Sequence, residues 1–518
     1  MNVSFLRNTK LILFVLVVVG LVMRLIPIRY GLPLQLNIDE PSLVSAVFSL
    51  KSGLNPGRFD WPHLYFYINF LFYGLFYWIF KIVGLATEND SYYFMISRGL
   101  SAVFGVATIP VVYLITKELF GGFRKPILAA VILTILPVHV YESFFAKLDV
   151  AHTFFISLAV LFMAKLMNKA SMKNYILSGL FIGLSVSVKY NAFLLALPFI
   201  IAHYYSFPNW RYLLKPRNIL KPIVAALVSI VAFFVGTPFA ILDFKTFWSY
   251  EPRVGALWQF TNVGNIEWTE YAESAYETFI TMYRGDLGIV IWVVFILMLI
   301  SYLFFCRRDR RLNFLLLPVI IISFYISKLE RSPAHYFVFL SVLYVPALSD
   351  FIISAIDRFR SFKFSPVILK VVSIFLVGLI LIPSIYSSIK SVYLYSQIDT
   401  RLEAYNWVQE NIIPTKRFIY VAGNELTSVI FEEKESLRVK RVDVDVIDKE
   451  LPVYLILGYN FLTLDALKAS NWDIDNVGGS SEDLLPQSEM VKYIDNQNRP
   501  GPPIIIFKIS DLTNPNAK

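Results

Sequence analysis

Cysteine is almost missing from this chain. Its 518 residues include one, Cys306, so no disulfide can close within it. Charge is scarce as well: 16% of residues are charged against 56% hydrophobic. Soluble domains carry more charge and use it to break up their apolar runs. Several nucleotide- and metal-binding signatures are absent too. There is no Walker A loop, no GxGxxG opening a helix after a strand, no CxxC pair and no HExxH. The P-loop, dinucleotide, thiol-redox and zinc-protease readings that rest on those patterns fall away. No internal repeat or low-complexity tract stands out, and the lone sequon NDS (89–91) carries no weight by itself.

Long apolar runs are what the chain does have. LILFVLVVVGLVM and VVSIFLVGLILIPSI approach or reach the roughly 20 residues that cross a bilayer. One such run fits the core of a soluble protein; about ten do not. The chain reads as an α-helical polytopic membrane protein. Its net charge of +9 and pI near 9.2 are accounted for by basic cytoplasmic loops, with no need for a nucleic-acid partner. The first run follows Arg7 and Lys10 as a signal peptide would. No small-x-small site follows it, and Arg24 and Arg29 come instead, so an uncleaved anchor is expected.

Spans are expected near 11–28, 98–116, 126–140, 150–166, 174–188, 192–207, 222–241, 287–305, 312–327, 335–350 and 366–387. Alternate connections then collect the basic residues: Arg7 and Lys10; Lys117, Arg124 and Lys125; Lys165, Lys169 and Lys173; Arg211, Lys215, Arg217 and Lys221; Arg307, Arg308, Arg310 and Arg311; Arg358, Arg360 and Lys363. The positive-inside rule puts these in the cytoplasm, with the N-terminus inside and the C-terminal region outside. The run HLYFYINFLFYGLFYWIFKIVGL (63–85) is apolar enough to span, but a span there would flip every later basic loop. It is dominated by Tyr, Phe and Trp, which prefer the interface, and is expected as an interfacial or re-entrant helix within a first outer loop, 29–97. Other outer loops are 137–150, 242–286 and 327–335, and the turn SVKYNA (187–192) also opens outward. From about 390 the pattern changes. TRLEAYNWVQENI reads as an amphipathic helix, and RFIYVAG, RVDVDVI, PVYLILGY and PIIIFKI read as strands. The expected division is a transmembrane domain over 1–389 and a small outer α/β domain over 390–518.

Asp39, Glu40 and Pro41 lie just past the first span. The plain structural account is a helix start, with Asp as N-cap and Glu and Pro in the first turn. The functional account is a carboxylate mounted on that helix terminus at the membrane surface. In HVYESFFAKLDVAH, Glu142, Lys147 and Asp149 fall on the same face, flanked by His139 and His152. An ionised group at membrane-helix depth costs about 2.5–3.5 kcal/mol, so either an ordinary loop or a polar cavity sits there. Lys189 stands alone between apolar runs, where it either snorkels or serves a site. Lys328, Arg331 and His335 are basic groups at an outer mouth. That placement asks for an anion, either a lipid headgroup or a substrate phosphate.

The ordered set DEP (39–41), DWPHLYFY (60–67), SRGLSAVFGVATIPVVYLITKELFG (97–121), PVHVYESFFAKLDV (137–150) and GLSVSVKYNA (183–192) resembles the GT-C class of membrane glycosyltransferases. The likeness is to glycosyltransferase family 39, which includes protein O-mannosyltransferases and lipid A aminoarabinose transferases. It covers about residues 10–200, with the later spans alike only in layout. It implies a polyprenyl-phosphate-linked sugar donor, inverting transfer on the outer face to a protein, lipid or glycan acceptor, and an integral plasma-membrane location in a bacterium or archaeon. By this resemblance Asp39 is the catalytic carboxylate with Glu40 beside it, and Asp149 is a second acidic site. A divalent metal, used by some relatives, would sit between Asp39 and Asp149. The family's SRxAxxD-like pattern is SFFAKLD here, with Phe144 and Lys147, and the second proline of its PP pair is His63.

A glycosyl phosphate leaves as an anion, so no general acid is required, unlike glycoside hydrolysis with its two carboxylates. One base suffices, provided cations hold the departing phosphate. Lys147, Lys189, Lys328, Arg331, Arg58 and His63 are the candidates for that. His139, Glu142, Tyr190 and His335 are candidates for the sugar or acceptor pocket. Two other classes compete. A lipid-linked glycan ligase or polymerase would place essential basic residues late, and Arg253 and Arg284 in loop 242–286 keep that open. A lipid or glycan transporter would show repeats or helices broken at mid-membrane, and only the break at Lys189 resembles one.

Overall fold

The computed structural model describes residues 3–37, 39–82, 91–261, 264, 266–267, 269–306, 308–330, 333–359, 366–412, 419–422, 439–441, 453–458 and 488–509. The chain divides into two compact units, residues 1–28 with 39–392, and residues 29–38 with 393–518.

The first unit is helical. In lipid a backbone has no water to bond to, so apolar runs of this length satisfy their own N–H and C=O groups as helices. Its early helices are α1 (Val3–Leu25), α2 (Glu40–Ser49), α3 (Leu64–Ile82), α4 (Ser91–Phe120), α5 (Arg124–Ile135), α6 (Pro137–Glu142), α7 (Leu148–Asn168) and α8 (Met172–Val186). A 3₁₀ turn (Tyr190–Leu195) leads into α9 (Ala196–Tyr205), and α10 (Pro216–Gly236) follows. After several short turns come α11 (Tyr283–Leu287), α12 (Ile289–Ser301), α13 (Arg310–Ser327), α14 (Ser341–Phe359) and α15 (Pro366–Ser396).

Among the described residues, seven helices are long and apolar enough to cross a membrane, at Ser91–Phe120, Leu148–Asn168, Pro216–Gly236, Ile289–Cys306, Arg310–Ser327, Val338–Arg358 and the stretch of α15 that starts at Val371. They coincide with seven of the eleven expected spans. The runs at 174–188 and 192–207 fall on shorter apolar helices. The run at 126–140 is broken at Leu136, which is extended ahead of Pro137 and separates α5 from α6. A residue preceding proline is driven out of the helical region by the pyrrolidine ring. The run at 63–85 forms one helix, α3, from Leu64 to Ile82; residues 83–85 lie outside the described set.

The central helices α7 and α14 are buried over most of their length, whereas α10, α12 and α15 turn large apolar side chains outward. Helices α8 and α10 approach closely at Gly179 and Gly183. A Cβ on either would meet the carbonyl oxygen of Ala225 or Ser229 at 2.2 Å or 2.1 Å. This is the small-xxx-small spacing that lets membrane helices touch backbone to backbone.

In the second unit, helix α16 (Thr400–Asn411) begins at Asp399, whose side chain accepts from the amide of Arg401 and caps it. Five strands form one sheet: β1 (Ile419–Ala422), β2 (Val439–Arg441), β3 (Val453–Gly458), β4 (Ser488–Ile494) and β5 (Ile504–Ile509), in the order β2-β1-β3-β5-β4. The first three are parallel, and β3–β5 and β5–β4 are antiparallel. Strand β4 was not among the expected strands, because SEMVKYI mixes two charged residues, Glu489 and Lys492, with its apolar ones. It pairs with β5 across an irregularity between Met490 and Lys492. The expected strand RVDVDVI (441–447) overlaps β2 only at Arg441; 442–447 lie outside the described residues.

Candidate active site

The site lies in the first unit, where α2, the 143–147 loop, the N-terminus of α7, the turn after α8 and the segment at 335–336 converge. Asp39 occupies the N-cap position of α2 with proline in the first turn, yet its side chain makes no capping hydrogen bond. The carboxylate is 44% exposed and lies 3.1 Å from the Lys147 ammonium. Lys147 also faces Glu142 at 3.6 Å. A second pair closes the group: Lys189 donates to Asp149 at 2.6 Å and lies 4.5 Å from the centre of the Tyr336 ring.

Two adjoining cavities meet here. A polar one is lined by Asp39, Trp61, Ala146, Lys147, Leu148, Asp149, Lys189, Gln259, His335 and Tyr336. A more apolar one has Phe193, Leu194, Phe260, Ile326 and Leu329 among its walls, with Asp60, Tyr190 and Asn191. The two share Trp61, Lys189, Gln259 and Tyr336. A charged chamber thus adjoins an apolar one across these four side chains.

Electrostatics follow from burial and pairing. Burial pushes the Glu142 carboxyl up to about 7, against the pull of Lys147. Burial opposes the charge of Lys147, but Glu142, Asp39 and Asp149 outweigh it and hold the ammonium above the ordinary lysine range. The same balance, with Asp149 as the main partner, raises Lys189. His335 is lowered by burial, so it faces the cavity as a neutral ring.

The other sequence candidates lie apart from this group. Glu40 is fully buried and receives Arg98 through two hydrogen bonds, 2.7 Å and 2.6 Å, and the Ala146 amide at 2.7 Å. Its charge is consumed in tying α2 to α4 and to the loop that carries Lys147. Arg58 pairs with Asp60 at 2.7 Å and stacks over Trp61. His63 is buried, bonds the Arg58 carbonyl at 2.8 Å and is lowered to about 4 by burial. A neutral ring so placed has no positive charge to offer a phosphate. His139 is buried against Arg24 at 2.9 Å. Tyr190 donates to the Phe59 carbonyl at 2.7 Å and borders the more apolar cavity. Lys328 is not among the residues lining either cavity, and Arg331 lies outside the described residues.

Sequence reasoning did not single out Trp61, Gln259 and Tyr336, which are common residue types in apolar or loop contexts. It also passed over Asp286, a buried acid in RGDLG just before an apolar run; an acid at that junction was the available signal. The donor set suits a divalent metal poorly. Asp39 and Asp149 are each paired with a lysine, and no group of three His, Cys, Asp or Glu among the described residues is arranged to hold an ion.

Residues 75–241 match the family model described as dolichyl-phosphate-mannose-protein mannosyltransferase. A comparison with curated proteins gives no match. Among solved structures, the fold is similar to the oligosaccharyltransferase AglB of Archaeoglobus fulgidus in complex with an inhibitory peptide and a dolichol-phosphate. That likeness has a TM-score of 0.52 at 13% identity, over 82% of this chain and 63% of that one. The apo form of the Archaeoglobus fulgidus enzyme aligns at TM-score 0.49 and 14% identity, over 80% of this chain and 62% of that one. ArnT from Cupriavidus metallidurans bound to undecaprenyl phosphate aligns at TM-score 0.48 and 12% identity, over 98% of each chain. This chain therefore spans less than two thirds of the length of the archaeal enzyme. Over residues 75–241 the chain is thus similar to the dolichyl-phosphate-mannose-protein mannosyltransferase family, and its fold is similar to that of the archaeal membrane oligosaccharyltransferase.

Proposed function

We propose that the chain transfers a sugar from a polyprenyl-phosphate donor to a hydroxyl- or amine-bearing acceptor, with inversion, on the extracytoplasmic face. The observation that carries this reading is the pair of adjoining cavities. The polar chamber presents one solvent-reachable carboxylate, Asp39, opposite two lysines, and the adjoining chamber is walled by apolar side chains. A lipid-linked sugar phosphate has the same two-part character, and the dolichol-phosphate held by the archaeal neighbour of similar fold is a lipid of that kind.

Asp39 takes the acceptor's proton as the acceptor oxygen or nitrogen attacks the anomeric carbon from the side opposite the phosphate. Carbon–oxygen cleavage leaves the prenyl phosphate with the bonding pair. Lys147 and Lys189 stabilise the charge that develops there, where desolvation strengthens each interaction. Asp149 orients Lys189 through their 2.6 Å bond. Trp61 and Tyr336, which border both chambers, fit a role as walls for the sugar. Replacing Asp39 with Asn should lower transfer by about 10²- to 10⁴-fold, the range for losing a general base, while membrane insertion and elution profile stay unchanged. Wild-type turnover by that variant would overturn the assignment.

The same reading keeps the eleven-span arrangement, with the N-terminus inside and 390–518 as an outer domain. A cysteine placed at Ser91 in a Cys306→Ser background should react with an impermeant maleimide added from outside. Labelling only after the membrane is opened would reverse the topology.

A further inference from the structure

This inference rests on the transfer reading above and concerns charge in the polar chamber. The two lysines lining that chamber are already engaged by carboxylates. Lys189 is held by Asp149 at 2.6 Å, and Lys147 lies 3.1 Å from Asp39 and 3.6 Å from Glu142. Three carboxylates thus face two ammonium groups, a net charge of −1 whenever Glu142 is ionised. A phosphodiester adds another negative charge to a partly desolvated space, where like charges repel far more strongly than in water. One carboxylate must give up its charge if a lysine is to be released to the phosphate.

The geometry singles out one of the three. Asp39 is solvated, with its side chain 44% exposed. Asp149 has the shortest lysine contact of the group. Glu142 is 3% exposed, its Oε2 has no hydrogen-bond partner, and its one ion-pair contact is the longest of the three. We propose that Glu142 takes up one proton from solvent when the donor phosphodiester binds, and that this releases Lys147 to pair with the phosphate. No covalent bond other than the new O–H is made. The three carboxylates, two ammonium groups and donor then carry −1 together rather than −2.

The groups facing Glu142 agree with this. Asp39 comes from α2, Lys147 from the loop after α6, Asp149 from α7, Lys189 from the turn after α8 and Asp286 from α11, which packs on α6. His335 lies on the turn that also packs on α6. Arg24 of α1 is bonded to His139, so it is committed within its own pair. Asp286 is raised well above the carboxylate range, first by burial and then by Glu142. Glu142 itself is raised to about 7, so its proton is exchanged near neutrality.

The test is calorimetric binding to the full-length protein in nanodiscs. The probe is a short-chain prenyl methyl phosphate, a diester whose single charge does not titrate between about pH 5 and 9. The wild type should bind with constant affinity below pH 7 and lose about tenfold per pH unit above it, as one linked proton requires. At pH 8, titrations in buffers of different ionisation enthalpy should report one proton taken up per diester bound. Glu142→Gln should bind with a flat pH profile, matching at pH 8 the wild-type affinity at pH 6. Wild-type binding with no proton uptake overturns the inference and leaves the transfer reading standing, and this measurement needs no variant to fold. A Glu142→Gln protein that keeps the wild-type slope also overturns it. Absence of binding at every pH overturns both.

Discussion

Glu40 receives three hydrogen bonds from Arg98 and Ala146 and is fully buried, whereas Asp39, one residue earlier, keeps 44% of its side chain exposed. The neighbours therefore do different work. Glu40 fixes α2 and, through Ala146, the loop bearing Lys147, so it positions both partners of the Asp39–Lys147 pair. Arg98→Met should strand a buried carboxylate and lower stability by about 3–5 kcal/mol, read by thermal unfolding in detergent. The double variant Glu40→Leu with Arg98→Met should recover much of that stability without restoring full transfer. Glu142 makes a different stability prediction. Its carboxyl is raised from 4.5 to about 7 in the fold. The folded protein therefore keeps a proton that the unfolded chain gives up. The stabilisation is full below the unfolded value and is lost as pH rises through the folded one. The unfolding temperature of the wild type should fall between about pH 5 and 8 more steeply than that of Glu142→Gln; equal slopes would contradict the burial-raised carboxyl.

At the scale of elements, the contact of α8 with α10 sets where Lys189 stands, because the lysine follows directly on the C-terminus of α8. Gly179→Ala would put a Cβ 2.2 Å from the Ala225 carbonyl oxygen. A backbone atom cannot swing aside as a side chain can, so the two helices must part. Overpacking of this kind costs about 1–3 kcal/mol, and the displacement should also move Lys189 away from Asp149. The variant is expected to lose transfer activity beyond what its fraction folded explains. Gly99→Ala, where a Cβ meets nothing within 4 Å, serves as the neutral control. The GLFIG spacing (179–183) is visible in the sequence, but the helix that faces it is not. The break between α5 and α6 was legible in Pro137 itself, yet it did not alter the expected span at 126–140, since an apolar run continues on both sides.

At the scale of the whole chain, segment 29–38 leaves the helical unit and belongs with residues 393–518. Within that second unit Tyr30 donates to Asp399 at 3.0 Å, Arg401 reaches both, and Tyr395 meets the Tyr30 ring edge-on. Asp399→Ala removes the cap of α16 and the partner of Tyr30 and Arg401 together. It should make segment 29–38 more sensitive to limited proteolysis than in the wild type; an unchanged digestion pattern would show that the segment is held by other contacts. No sequence signal announced this excursion, because Tyr30 and Asp399 are far apart in the chain and neither lies in a motif. Composition alone determined the class: apolar runs this long must satisfy their backbone internally and so become helices. The order of short motifs along the first two hundred residues determined the family resemblance. Only the tertiary structure decided which of two adjacent carboxylates faces the cavity. Asp39 and Glu40 carry the same charge, and what separates them is an arginine 58 residues after Glu40, brought alongside one and not the other when α4 packs on α2.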